Sequence, residues 1–177
     1  MKKSLSLVIA LTSTCLIASL GLALVNALTQ DRIEEQKNKE MLLSINKVLP
    51  LFNNNPLKDK KETDGTIFFM GKYNGRVTGV ACQTAGEGYS AKIRVMVGLN
   101  LEGEISGVEI LEHLETPGLG SRIETPEFKT QFKGKSPVNF KIDSLTGATI
   151  SSRGVAQAVR QALDLFQKNK KTILNAD

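Results

Sequence analysis

The sequence predicts an α+β fold: a twisted antiparallel sheet with flanking helices, carried on a single N-terminal transmembrane helix. Three observations predict it. An uncharged apolar run opens the chain, strand-like segments joined by turn residues fill its middle, and a long amphipathic segment closes it. The expected division is an anchor at 1–29, a stalk helix and linker at 30–65, and a folded domain at 66–177.

At 177 residues the chain has room for one modest domain beside an anchor. Its net charge of +5 is mild, and no Lys/Arg block is interleaved with aromatics, so no nucleic-acid partner is expected. His113 is the only histidine. The two cysteines, Cys15 and Cys82, lie far apart, and Cys15 falls inside the apolar run, which disfavours a disulfide between them. No Cys/His cluster has metal-ligand spacing, so no metal, iron–sulfur or haem site built by this chain is expected.

The run from Leu5 to Leu28 makes about 36 Å of helix, against a hydrocarbon core of about 30 Å. Lys2 and Lys3 precede it, and Asp31, Arg32, Glu34 and Glu35 follow. The positive-inside bias then places Met1 in the cytoplasm and Gln30 onward outside. Val25-Asn26-Ala27 has the side-chain sizes of a cleavage site after Ala27, but the run is long for a signal-peptide core. A retained anchor is preferred, and both readings place the domain outside the cytoplasm. The run carries no charge, so no ion pathway through it is expected.

Beyond the anchor, Gln30 to Leu49 reads as a helix with Ile33, Leu42, Ile45, Val48 and Leu49 near one face, ended by Pro50. Asn53-Asn54-Asn55-Pro56 is a loop, and the charged run Lys58–Glu62 reads as a solvated surface segment. Four antiparallel strands follow in order. Ile67–Tyr73 and Arg76–Thr84 flank Asn74-Gly75, a strong hairpin signal. Lys92–Leu99 alternates, with Ile93, Val95 and Val97 on one face and Lys92, Arg94 and Met96 on the other. Glu104–Leu111 alternates again, with Gly107 as a bulge site. Ala85 to Ser90 is too glycine-rich for a strand and reads as a loop.

His113 to Ser121 contains a Pro-Gly turn and places Leu119 between two glycines, where an apolar side chain needs a partner. Thr125-Pro126-Glu127 opens a short helix with Thr125 as N-cap, and Phe128 and Phe132 share a face of it. Val138, Phe140 and Ile142 alternate as a fifth strand leading to Asp143. The last helix is expected from Ser151 or Ser152, with its apolar stripe at Val155, Ala158, Val159, Ala162, Leu163 and Phe166.

The chemistry concentrates at Asp143-Ser144-Leu145-Thr146-Gly147-Ala148-Thr149, followed by Ile150-Ser151-Ser152. Taken simply, Asp143 and Ser151 cap a helix and Thr146-Gly147 is a turn. Two features suggest more. Gly147 and Ala148 remove bulk beside Thr149, so a ligand or another protein's active site can approach. Thr149 lies close to a helix start, where free N–H groups and the dipole favour an anion. No Gly-Lys-Ser/Thr follows, which excludes a Walker loop, and an unaided hydrolase has only His113 to call on.

The Asp-x-x-Ser/Thr-Gly-Ala-Thr pattern ending at Thr149, with Glu115-Thr116-Pro117-Gly118-Leu119-Gly120 upstream, resembles the FMN-binding domain family. Members of that family include the G subunit of the Rnf electron transport complex and the C subunit of the Na+-translocating quinone reductase. The resemblance covers essentially the whole chain, most specifically Gly86 to Leu163, and the short chain length favours the Rnf side. Thr146 stands where Ser is commoner, and Ser151 where Thr is frequent.

The resemblance implies FMN held covalently by a phosphoester to Thr149, installed by a separate flavin transferase acting on FAD. Asp143 would serve transferase recognition or metal-assisted transfer. Thr146, Gly147, Ala148 and Ser151 would form the cofactor site. Thr116 and Leu119 are candidates to pack on the isoalloxazine ring, and Glu115 to hold its loop through backbone hydrogen bonds. Lys135, or Lys133, would favour reduced anionic flavin. Tyr89 is a stacking candidate with only its glycine-rich loop in support. His113 reads as a strand-end surface residue and Cys82 as a small strand residue.

The implied function is electron transfer within a bacterial inner-membrane complex that couples ferredoxin/NAD chemistry to ion movement, with other subunits as partners. The alternatives are the quinone-reductase C subunit, another extracytoplasmic FMN reductase, and a flavin-free anchored scaffold module. No catalysis is expected from the chain without FMN.

Overall fold

The computed structural model describes residues 2–174; Met1 and the side chains of Lys2 and Lys3, on which the orientation rests, lie outside the description. The chain divides into two compact units, Met1–Glu40 and Met41–Asp177.

Helix α1 spans Lys2–Val48 without a break. Anchor and stalk were expected as separate segments, but no Pro or Gly interrupts Leu22 to Leu49, so nothing ends the first helix before the second begins. The helix contains an apolar window of mean hydropathy 2.3 with none of its residues buried, and among the described residues it alone is long and apolar enough to cross a membrane.

In the second unit β1 (Lys60–Thr63), β2 (Thr66–Tyr73), β3 (Arg76–Glu87), β4 (Lys92–Asn100) and β5 (Ile105–Glu112) form one antiparallel sheet in sequential order. Asn74 and Gly75 both have positive φ, 50° and 80°, the backbone of a two-residue hairpin turn. The bulge lies at Ser106, beside Gly107: Gly98 pairs with Gly107 but Leu99 pairs with Ile105.

Side-chain alternation gives the sheet two buried faces. The row Phe68, Cys82, Val97, Val108 points one way. The long helix α3 (Thr149–Leu174) covers it with Val155, Ala158, Val159, Ala162, Leu163 and Phe166. Ile123, from a 3-10 turn at Gly120–Glu124, joins this core, as do Phe128 of α2 (Pro126–Thr130) and Phe132. The two phenyl rings meet edge to face at 5.4 Å. Burial pushes the Cys82 thiol up to about 12.

The next row, Phe69, Ala81, Gly98, Gly107, points the other way and is nearly bare of side chains at one end. The C-terminal turns of α1 fill that space with Ile45 and Val48, beside Met96. A Cβ on Gly98 would stand 2.2 Å from the Val48 carbonyl oxygen.

Several expectations are corrected. Part of the charged run Lys58–Glu62 is edge strand β1, paired with β2 across Asp64-Gly65. Lys168 and Asn169 of α3 hold Asp64 at 2.8 and 3.1 Å and keep its carboxyl below the usual range. Strand β3 runs through Ala85 and Gly86 to Glu87, because its glycine faces α3. No fifth strand forms at Val138–Ile142. That stretch is irregular, with Val138 95% exposed while Phe140 and Ile142 rest on the core. Thr125 is the N-cap of α2 but makes no capping side-chain bond.

Candidate functional site

Helix α3 begins at Thr149, two residues earlier than expected. Leu145-Thr146-Gly147-Ala148 closes on itself: Ala148 N–H donates to the Leu145 carbonyl at 3.0 Å, with Gly147 in the left-handed region at φ 82°. Ser152 then fixes the turn to the helix. Its N–H and hydroxyl both donate to the Ala148 carbonyl, at 2.9 and 2.8 Å, while its Oγ accepts from Leu145 N–H at 3.0 Å. Ala148 therefore occupies the cap position, and its methyl has no atom to offer the free N–H groups of the first turn. Thr149 is exposed on that turn. Its hydroxyl stands where a helix favours an anion.

The facing wall comes from the loop after β5. Glu115 is 5% exposed. It accepts the Ser151 hydroxyl on Oε2 and the Ser90 N–H on Oε1, at 3.0 Å for the latter. Burial alone would raise its pKa. The Ser151 hydroxyl and the N–H groups of Ser90, Tyr89 and Ala91 outweigh that and hold the carboxyl below the usual range. Gly88 and Gly120 make the socket: a Cβ on Gly88 would stand 2.4 Å from Glu115 Oε1, and one on Gly120 2.8 Å from Glu115 Cβ. Glu115 was expected to hold its loop through backbone bonds; its carboxylate instead joins the backbone of the 88–91 tip to the Ser151 hydroxyl on α3. Leu119 lies beside Gly147, where a Cβ would meet its Cδ2 at 3.7 Å, and remains half exposed.

Between these walls lies an open groove of about 450 Å³, a size typical of ligand sites. Of the expected residues it brings together Glu115, Thr116, Leu119, Gly147, Ala148, Thr149 and Ser151. Tyr89, Gly120 and Ile150 complete the lining. Gly120 and Ile150 were outside the expected set, although both sit within the two motifs.

Other expected residues lie elsewhere. Lys135 is not among the lining residues: its main chain pairs with Ile105 at the start of β5, a contact that the spacing of charges does not reveal. Lys133 is likewise absent from the lining. Asp143 is exposed outside the groove, its N–H donating to Gln131 Oε1 at 3.0 Å. Thr146 is also outside, and its carbonyl accepts from Arg122 Nη1 at 3.1 Å. Sequence reasoning missed Arg122, whose role depends on the loop meeting the turn. His113 is more enclosed than expected, with Nδ1 accepting from Glu115 N–H and Nε2 at 3.1 Å from Glu124.

Residues 88–164 match the FMN-binding domain family. The chain is 32% identical to the G subunit of the ion-translocating oxidoreductase complex of Vibrio atlanticus, over 89% of this chain and 88% of that protein. The protein of the same name from Cereibacter sphaeroides is 31% identical over 90% and 82%. The chain belongs to this G-subunit family of FMN-binding-domain proteins. Two solved structures share its fold. The C subunit of the Na(+)-translocating NADH-quinone reductase of Parabacteroides distasonis aligns over 86% of this chain and 98% of its own, at TM-score 0.58 and 21% identity. Shewanella oneidensis NqrC aligns at TM-score 0.54 and 24% identity over 63% of this chain. The alignment spans slightly less than two thirds of that structure's length, 62%.

The groove fits FMN on its own chemistry. An uncapped helix N-terminus suits the phosphate, and apolar Leu119 and Ile150 suit the ring system.

Proposed function

We propose that this chain is the flavin-bearing electron-transfer component of a membrane oxidoreductase complex, with FMN joined through its phosphate to Thr149 Oγ. The observation that carries this reading is an exposed threonine hydroxyl on the uncapped first turn of α3, at the edge of a ligand-sized groove. In a maturation step catalysed by a separate flavin transferase, the Thr149 hydroxyl attacks the FMN-side phosphorus of FAD. The new P–O bond forms, the diphosphate bond breaks, AMP leaves, and the hydroxyl proton passes to the transferase. Gly147 and Ala148 leave room for that enzyme.

Once bound, FMN supplies the electron chemistry. The protein's part is placement. The helix N-terminus offsets the phosphodiester charge, Leu119 and Ile150 shield one side of the groove, and Glu115 locks the loop against α3. The covalent bond acts as a tether, which matters on the outer side of a membrane where a dissociated cofactor is lost. The chain is anchored by α1 with the domain outside the cytoplasm. The relatives' names support partner subunits in an ion-translocating oxidoreductase complex, and the link to ferredoxin and NAD is what the Rnf resemblance adds to this reading. The fold shared with the quinone-reductase C subunit supports the second reading, the same role in a quinone-linked complex.

Full-length protein is expressed with and without a flavin transferase and run on a denaturing gel. A fluorescent band that needs the transferase and disappears in Thr149→Ala is expected. A dark wild-type band, with the transferase active on a control substrate, overturns the assignment. Assaying the purified complex with ferredoxin and with a quinone separates the two readings.

A further inference from the structure

Tyr89 is 71% exposed, yet it lines the groove with Thr116, Leu119 and Ile150. Its main chain is firmly held. Gly88 N–H donates to the Ala91 carbonyl at 3.0 Å, which reverses the chain with Tyr89 and Ser90 at the tip. The Ser90 N–H donates to the Glu115 carboxylate at 3.0 Å, and the neighbouring N–H groups of Tyr89 and Ala91 help hold that carboxyl below the usual range. Its other oxygen takes the Ser151 hydroxyl, two residues beyond Thr149. One buried anion therefore joins the tip that carries Tyr89 to the helix turn that carries Thr149. Every donor that the tip spends on Glu115 is a backbone group, which leaves the phenol free. A fixed tip that displays an aromatic ring into a groove lined by aliphatic side chains suits a flat aromatic ligand.

We propose that Tyr89 stacks on the isoalloxazine ring, and that Glu115 is the positioning residue that fixes Tyr89 relative to Thr149. This placement rests on the reading of Thr149 as the flavin attachment site.

A phenol or indole in contact with an oxidised isoalloxazine quenches its fluorescence, lending an electron to the excited ring and taking it back. The test compares flavin emission of native and denatured full-length protein, made with the transferase and purified in detergent. Wild type is expected to be strongly quenched when native. In Tyr89→Leu the native-to-denatured ratio rises towards unity, while Tyr89→Trp stays quenched. Glu115→Gln also raises the ratio, and combining it with Tyr89→Leu adds nothing, the signature of two residues acting as one unit.

Equal quenching in Tyr89→Leu and wild type, with the denatured band still fluorescent, overturns the stacking while the attachment stands. A dark wild-type band overturns both. Effects of Glu115→Gln and Tyr89→Leu that add independently overturn the positioning role. Should Glu115→Gln fail to fold, Ser151→Ala replaces it in the cycle and removes one donor from the same carboxylate.

Discussion

Gly86 and Gly154 bring β3 and α3 into backbone contact: a Cβ on Gly86 would stand 1.9 Å from the Gly154 carbonyl oxygen, and one on Gly154 2.3 Å from the Glu87 carbonyl oxygen. This approach seats the N-terminal turns of α3 beside the 88–91 tip, and so places Thr149 across from Glu115.

Gly154→Ala tests that contact by sign. In an open helix the change would stabilise by up to about 1 kcal/mol through propensity. Here the methyl meets backbone that has nowhere to go, and overpacking of about 1–3 kcal/mol is expected to win. Denaturant titration should show a lower midpoint. A raised midpoint would show that α3 is free to move off the sheet.

Ile45 is fully buried on the sheet's second face, whereas Leu43 on the same helix is 61% exposed. Ile45→Ala is therefore expected to destabilise the domain by about 2–5 kcal/mol. Leu43→Ala should change stability by less than about 0.5 kcal/mol. Thermal melts in detergent read both. Equal effects would mean that the last turns of α1 are a tether and not part of the core.

The elements legible in the sequence are those that neighbours in the chain determine. Asn74-Gly75 demands positive φ whatever surrounds it, and the alternation of Ile93, Val95 and Val97 needs only a buried face. The same signal is present at Asp64-Gly65, just past the charged run Lys58–Glu62, and read as a hairpin turn it identifies β1. Val138, Phe140 and Ile142 show the converse. They alternate like a strand, but the sheet order ends at β5 and they do not pair with it; Phe140 and Ile142 rest on the core from an irregular stretch. In the site, the two motifs supplied most of the groove. Tyr89 depended on a carboxylate 26 residues away in sequence, counting from Tyr89 to Glu115, and Arg122 on a loop meeting a turn. Neither dependence is written locally.

Glu109 accepts from Lys47 and Lys129, each at 2.7 Å, and so ties α1 and α2 to β5. Burial acts to raise its pKa, but the two ammonium groups prevail and hold the carboxyl below the usual range. Its contribution to stability is then fully present above the unfolded carboxylate pKa of about 4.3. It is lost as pH falls through the depressed folded value. Melting temperature should drop below that pH, with a shallower drop in Glu109→Gln, which is less stable at neutral pH. Identical acid profiles in the two proteins would exclude the tie.

Arg122 donates to the Thr146 carbonyl and so holds the Leu145–Ala148 turn, the proposed attachment turn, against the facing loop. The bond is exposed to solvent, so Arg122→Ala should alter global stability by no more than about 0.5 kcal/mol. The expected effect is on maturation. A turn released from its guanidinium samples more conformations, and fewer of them present Thr149 to the transferase. Flavin incorporation, followed as in-gel fluorescence against time at fixed transferase concentration, should slow in Arg122→Ala. Arg122→Lys should recover only part of the rate, because an ammonium on a flexible stem lacks the planar fork that fixes the guanidinium on one acceptor. Wild-type kinetics in Arg122→Ala would show that Gly147 and the Ser152 bonds to Ala148 and Leu145 hold the turn unaided.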